Sequence, residues 1–444
     1  MIEPHTLRED AVAIFRAALA AANARDAVKR HLQRSEVQIR LENTRFTLTR
    51  MNRVFVVAVG KAAPQMAEVI EQRIGDYFTS GLVVTKHGHA ASYSGKCKVI
   101  EASHPVPGED SLRAGQAVVS LLDDLTAKDF LVVAVSGGAS SLLCAPVEGV
   151  SLADKQQTTA LLLRAGADIY ELNAVRKHLS LLKGGNLAAL AYPCPILSLL
   201  LSDVVGDPLD VIGSGLTAPD QSTFAEAIRV LSNRFVWEAV PATVRDHLER
   251  GARGEVNETP KPGDTLFANV TNAIVGNSRQ ALEAAAEEAK RRGYRPLILS
   301  SRIQGEAREA ARFHAEILWE TITSGHPVRP PACLLSGGET TVNVRGNGKG
   351  GRNQEFALAT AVALAGAPNI MCLSAGTDGT DGPTDAAGAL VNGETIARAR
   401  KLGLSAEQAL VQNDSYPFFD ALGDLLKTGP TGTNVMDVNI MLVG

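Results

Sequence analysis

Two runs of six apolar residues, Val54–Val59 (VFVVAV) and Phe130–Val135 (FLVVAV), constrain the fold of this chain more than any other feature. Neither run alternates with polar residues, and each ends in small ones, Gly60 and Ser136-Gly137-Gly138. A strand with one face in water alternates; a strand covered on both faces does not, because both rows of side chains are buried. Gly81–Thr85 and Lys98–Ile100 read as further strands, with helical patterns over 62–74 and 109–125 between them. A parallel sheet wrapped by helices, an α/β sandwich, is the expectation. Ahead of it, 7–32 reads as one amphipathic helix, with Val12, Ile14, Phe15, Ala18, Leu19 and Ala22 on its apolar face.

The later sequence repeats the style. Arg295–Leu299, Cys333–Leu335 and Asn369–Leu373 read as strands, and 277–292, 304–323 and 352–365 as helices. Several charges and the Pro260-Lys261-Pro262 turn fall in 251–264, so the boundary is expected there, giving domains 1–250 and 251–444 with a cleft between them. A chain of 444 residues suits two or three domains.

Composition excludes several classes. With 45% apolar and 21% charged residues the chain is that of an ordinary globular protein. Its formal charge of -4 gives no reason to expect a nucleic acid or an anionic membrane as partner. The five cysteines are scattered without a C-x-x-C pair, which fits buried thiols in a reducing compartment and argues against a zinc site. The charged N-terminus is not a secretory signal, and Pro195–Val205 is too short to span a bilayer and contains Asp203, so a cytoplasmic protein is expected.

Four segments carry candidate chemistry. At Gly60-Lys61-Ala62 a strand ends, the chain turns and a helix begins with a lysine. The start of a helix carries partial positive charge, so a cation there invites an anion; an exposed, solvated lysine is the plainer alternative. Ser136-Gly137-Gly138-Ala139-Ser140 follows a buried strand, and small residues with successive N–H groups can cradle phosphate oxygens. It is neither a Walker A loop nor a G-x-G-x-x-G fingerprint. Arg345-Gly-Asn-Gly-Lys-Gly-Gly-Arg352 brings a planar guanidinium, suited to phosphate or carboxylate, to another helix start. Asp203, Asp207, Asp378 and Asp381 sit on Gly-containing loops after apolar strands. Such carboxylates hold a divalent cation or accept a hydroxyl proton, although turn-forming Asp side chains look the same in sequence. The stretch 378–385 lacks the ligand run of a calcium loop. His87, His89 and His104, near strand ends, read as structural or supporting residues.

Taken together the chain resembles the class II glycerate kinase family, whose C-terminal part is the MOFRL domain. The likeness is carried by VGKAA (59–63), TKHGH (85–89), SHPVPGEDS (103–111), SGGASSLL (136–143) and NAVRKHLSLLKGGNLA (173–188). It continues through SDVVGDPLDVIGSGLT (202–217), SGGETTV (336–342), GGRNQEFALA (350–359) and AGTDGTDGPTDAAGA (375–389). It implies a Rossmann-like three-layer N-terminal domain, a C-terminal α/β domain with a mixed sheet and MOFRL region at about 330–440, and an active site in the interdomain cleft. It also implies ATP with Mg2+ or another divalent cation, and D-glycerate phosphorylated at the 2-hydroxyl by a monomer or homodimer. Lys61 and Arg352 match the family's positive groups. Ser136, Gly137, Gly138, Ala139 and Ser140 would then hold nucleotide phosphates. Asp203, Asp207, Asp378 and Asp381 would serve the metal or the hydroxyl. Two rival readings are a hydroxypyruvate reductase using NAD(P)H and a non-catalytic hydroxy-acid sensor.

Overall fold

The computed structural model describes residues 4–41 and 44–444. Its chain divides into two compact units, a first of Ala27–Val275 and a second of Met1–Asp26 with Gly276–Gly444.

The first unit opens with a small antiparallel sheet, β1 (Leu32–Ser35), β2 (Gln38–Leu41) and β3 (Thr44–Thr47). Its main sheet has six strands: β4 (Val54–Val59), β5 (Phe78–Lys86), β6 (Lys98–Ala102), β7 (Phe130–Val135), β8 (Ile196–Leu201) and β9 (Val270–Gly276). They lie in the order β6-β5-β4-β7-β8-β9, and β6 through β8 run parallel. Every residue of β4, β7 and β8 is buried, as the unbroken apolar runs require. One face packs on Ala114, Val118 and Leu122 of the helix Glu109–Leu122 and on Leu187, Ala188 and Ala191 of Asn186–Ala191. The helix Ala63–Ile74 starts with Pro64 in its first turn, where a missing N–H costs nothing, and ends at Gly75 with φ +62°.

The expected break at 250/251 falls inside this unit. Segment 251–264 is bonded into it, Asp220 donating its N–H to the Pro260 carbonyl at 2.8 Å and Thr259 its hydroxyl to the Asp220 carboxylate at 2.9 Å. Strand β9 then completes the sheet, so the units part at 275/276.

The second unit holds β10 (Arg295–Ile303), β11 (Ala332–Gly338), β12 (Ile370–Gly376), β13 (Gly388–Val391), β14 (Leu425–Leu426) and β15 (Asp437–Val443). Their order is β10-β11-β15-β12-β13-β14, with β10 and β11 parallel and the other pairs antiparallel, a mixed sheet as expected. The segment 7–32 differs from the single helix expected. It forms two helices, Pro4–Ala21 and Ala24–His31, because the Asn23 side chain accepts the N–H groups of Arg25 and Asp26 at 3.0 and 3.2 Å and starts a second helix. The first packs on Ser278–Arg291 of the second unit, with Asp10 accepting from Tyr294 Oη at 2.7 Å and from Arg292. All five cysteines are free and buried. No helix among the described residues is long and apolar enough to cross a membrane.

Candidate active site

In the first unit the strand order reverses between β4 and β7: β5 and β6 follow on one side, β8 and β9 on the other. At such a reversal the loops leaving the two central strands diverge and open a crevice at their carboxyl ends, where open parallel sheets bind ligands. The loops concerned are Gly60-Lys61 and Ser136–Ser140. Ser136 Oγ accepts the Ala62 N–H at 3.1 Å, and the Lys61 N–H donates to the Gly137 carbonyl at 2.9 Å. Gly60, at φ +128°, passes so close to Ser136 that a Cβ would stand 2.2 Å from its Oγ. Stitched in this way, the loop leaves the N–H groups of Gly137 and Gly138 without an acceptor among the described residues. Two free successive donors at a strand end are what an anion needs.

Lys61 lies two residues ahead of the helix Ala63–Ile74, partly exposed, and its ammonium has no partner among the described residues. His89 Nδ1 meets the Lys61 carbonyl at 3.3 Å. The His104 ring packs against Gly138, where a Cβ would stand 3.0 Å from it. Burial, with Lys61, Lys86 and His89 adding repulsion, pushes His104 down to about 4, so it is neutral at pH 7. The expected supporting role of His104 thus takes a definite form, a neutral wall beside the loop.

The second unit treats its cation differently. Arg352 begins the helix Arg352–Ala363 but is not open to a ligand along its fork. Its Nε and Nη2 donate to the two Asp437 oxygens at 2.7 and 3.0 Å, and its Nη1 to Glu339 at 2.7 Å. Asn353 Nδ2 also donates to Asp437, at 2.9 Å. Burial nevertheless pushes Asp437 up to about 6, against the pull of Arg352.

Asp381, expected as a metal or hydroxyl group, has its oxygens committed to that helix start. It accepts from the N–H groups of Asn353 and Gln354 at 3.0 and 2.8 Å, caps the first turn from a distant loop, and is buried. The plain turn reading holds for Asp378, which accepts from the N–H and hydroxyl of Thr380 at 3.0 and 3.1 Å. Asp203 and Asp207 lie on the turn after β8, next to the loop after β7 because β7 and β8 are neighbours; Asp207 takes φ +57°. No group of three or more His, Cys, Asp or Glu side chains shaped for a metal occurs among the described residues.

Sequence reasoning missed Asp437 and a set of cations in the first unit. Lys183 Nζ donates to the carbonyls of Ser140 and Leu143 at 2.7 and 3.0 Å, locking the glycine loop from beneath. Lys155 Nζ donates to the Leu179 carbonyl at 2.8 Å. Both lysines are buried, and burial pushes Lys183 down to about 7 and Lys155 to about 8. Asp437 left a faint signal, since Asp437-x-Asn439 puts two polar side chains on one face of an otherwise apolar strand.

Residues 10–249 match a domain of unknown function, DUF4147, and residues 332–437 match the MOFRL family. The chain is 41% identical over 443 residues to the D-glycerate 2-kinase of Thermotoga maritima, spanning 100% of both. It is 43% identical to a putative hydroxypyruvate reductase of Agrobacterium vitis, over 89% of this chain and all of that one. A crystal structure of glycerate kinase from Thermotoga maritima superposes with a TM-score of 0.88 at 41% identity, covering 99% of this chain and all of that one. The fold is that of a two-unit α/β protein, shared end to end with the Thermotoga maritima kinase. The chain belongs to the class II glycerate kinase family, with its C-terminal MOFRL domain.

Proposed function

We propose that this chain is a D-glycerate 2-kinase, transferring the γ-phosphoryl group of ATP to the 2-hydroxyl of D-glycerate. The observation that carries the reading is the end-to-end kinship at 41% identity with a D-glycerate 2-kinase, supported by the anion-ready loop at the strand reversal. The glycerate 2-oxygen attacks the γ-phosphorus, the bond to the bridging oxygen of ADP breaks, and the hydroxyl proton passes to a carboxylate. Phosphoryl transfer is chiefly positioning and charge neutralisation. The free N–H groups of Gly137 and Gly138 receive phosphate oxygens, and the unpaired ammonium of Lys61 neutralises the charge that moves. Arg352 meets the acidic substrate with whatever donor capacity Asp437 and Glu339 leave it. Mg2+, when bound, would neutralise nucleotide phosphates, and Asp203 and Asp207, on the turn after β8, are the carboxylates of the first unit that would hold it.

A reductase reading is favoured by the Agrobacterium vitis relative's name. Against it, the turn after β4 reads Gly60-Lys61-Ala62-Ala63-Pro64-Gln65, without the second and third glycines that let a dinucleotide pyrophosphate approach. A hydroxy-acid sensor would bind without turnover. Incubation with Mg-ATP and D-glycerate, followed by phosphorus NMR, should give 2-phosphoglycerate. Formation of 3-phosphoglycerate would overturn the regiochemistry, and oxidation of NADH or NADPH by hydroxypyruvate without any phosphorylated product would overturn the kinase.

A further inference from the structure

The helix Ile169–His178 carries a cation that the reading above leaves unused. Arg176 is partly buried, and its guanidinium forms no hydrogen bond or ion pair among the described residues. Burying an unpaired charge is costly, so proteins seldom keep one without a partner. Lys155 and Lys183, of the same sign, lie within electrostatic reach of it, and among the described residues no carboxylate pairs with any of the three. Lys183 turns two of its donors and Lys155 one onto backbone carbonyls, whereas none of the five N–H donors of Arg176 is engaged among the described residues.

The helix is tied to the glycine loop. One turn before Arg176, Asn173 Oδ1 accepts from Ser214 Oγ at 3.0 Å, and Ser214 Oγ lies 2.8 Å from Ser140 Oγ in the loop. Residues three apart on a helix are surface neighbours, so Arg176 and Asn173 share a side. Asn173 is only 2% exposed, yet its Nδ2 has no acceptor. The free amide of Asn173 and the free N–H groups of Gly137 and Gly138 thus belong to one hydrogen-bonded assembly, and the guanidinium of Arg176 stands on the same helix side as Asn173, all of them donors without an acceptor among the described residues.

We propose that Arg176 is a phosphate-binding residue of the nucleotide site, its fork taking a polyphosphate oxygen pair beside the Ser136–Ser140 loop that Lys183 braces. This rests on the reading that the loop holds nucleotide phosphates. Its guanidinium is kept unpaired because the ligand completes it, and removing it should not weaken the empty protein.

Binding of ADP and of adenosine to Arg176→Gln and Arg176→Lys, with thermal midpoints of the unliganded proteins, tests this. For Arg176→Gln, ADP affinity should fall tenfold or more while adenosine affinity stays within twofold and the midpoint does not drop. Arg176→Lys, which keeps the charge and loses the fork, should fall between. An unchanged ADP affinity overturns the assignment. So does a lowered midpoint with equal losses for ADP and adenosine, which would make Arg176 structural, or a change confined to glycerate affinity. Ser141→Asp separates the underlying reading, because it sets a negative charge on the loop. If it leaves ADP affinity unchanged, the loop does not hold phosphates and the assignment of Arg176 falls with it. If Ser141→Asp weakens ADP and Arg176→Gln does not, the loop stands and only Arg176 is wrong.

Discussion

The loop after β7 and the start of the helix Arg352–Ala363 both put a glycine-rich turn beside a cation, yet they hold their charges in opposite ways. Around the first, among the described residues, Lys61 has no partner, the nearby histidine is neutral and the backbone donors of Gly137 and Gly138 are free. Around the second, Arg352 is forked onto Asp437 and bridged to Glu339, and Asp381 closes the helix start. The difference teaches that a cation at a helix start reports only that an anion belongs there. In one unit the described residues supply no such anion, and in the other the protein supplies it.

The largest effect should come from Arg352→Ala, which removes the counter-charge of a buried carboxylate. Activity should fall by about 3–4 kcal/mol of barrier, on the scale of lost transition-state donors. Folding stability should fall as well, by about 3 kcal/mol, the cost of breaking a buried pair, read from urea midpoints. Lys61→Ala should lose a similar amount of activity but shift stability by less than about 0.5 kcal/mol, as for a side chain without partners. Equal destabilisation by the two variants would break the comparison.

Asp381→Ala should cost about 2 kcal/mol of stability, at the upper end for a lost helix cap, because it frees two buried N–H groups. Asp437→Asn sharpens the contrast through pH. The folded Asp437 titrates at about 6, above its ordinary value, so the native state binds the extra proton between about 4 and 6. Its contribution to stability is therefore present below that window and lost as pH rises through it. The wild type should lose stability relative to Asp437→Asn between pH 4 and 6, and a difference that rises with pH would contradict the buried carboxylate. The smallest effect belongs to Gly138→Ala. With φ +87° and His104 at 3.0 Å from the added Cβ, it should cost roughly 1 kcal/mol and raise KM for ATP.

Much of the architecture was legible because it is local. Val54–Val59 and Phe130–Val135 are strands with the expected bounds, since an unbroken apolar run ending in glycine has few other uses. The small sheet β1–β3 escaped notice, as Leu32–Ser35 and Thr44–Thr47 are mostly polar and hide behind an amphipathic helix. The compact units part at 275/276 rather than at the expected 250/251, because a Pro-Lys-Pro turn looks like a linker whereas its bonding to Asp220 is a long-range fact. Of the candidate site, the placement of Lys61 and Ser136–Ser140 at strand ends could be read from strand-glycine-helix grammar. Lys155, Arg176 and Lys183 could not, since a cation on a helix looks solvated until the fold shows that it is buried. Asp437 escaped for the same reason, a lone acid in an apolar strand.

The helix Pro4–Ala21 has a consequence for how the chain is made. Its packing surface, Ser278–Arg291, and the Arg292 and Tyr294 partners of Asp10 emerge only after the whole of Ala27–Val275 has been translated. At about 5–20 residues per second that delay is roughly 15–50 s, during which the first unit can fold as a loop thrown out between two separated halves. Throughout, the nascent helix must carry its apolar stripe of Ile14, Phe15 and Ala18 without its mate. A chain whose residue 275 has just left the ribosome would therefore present a complete first unit while the apolar stripe of its leading helix still waits for its mate.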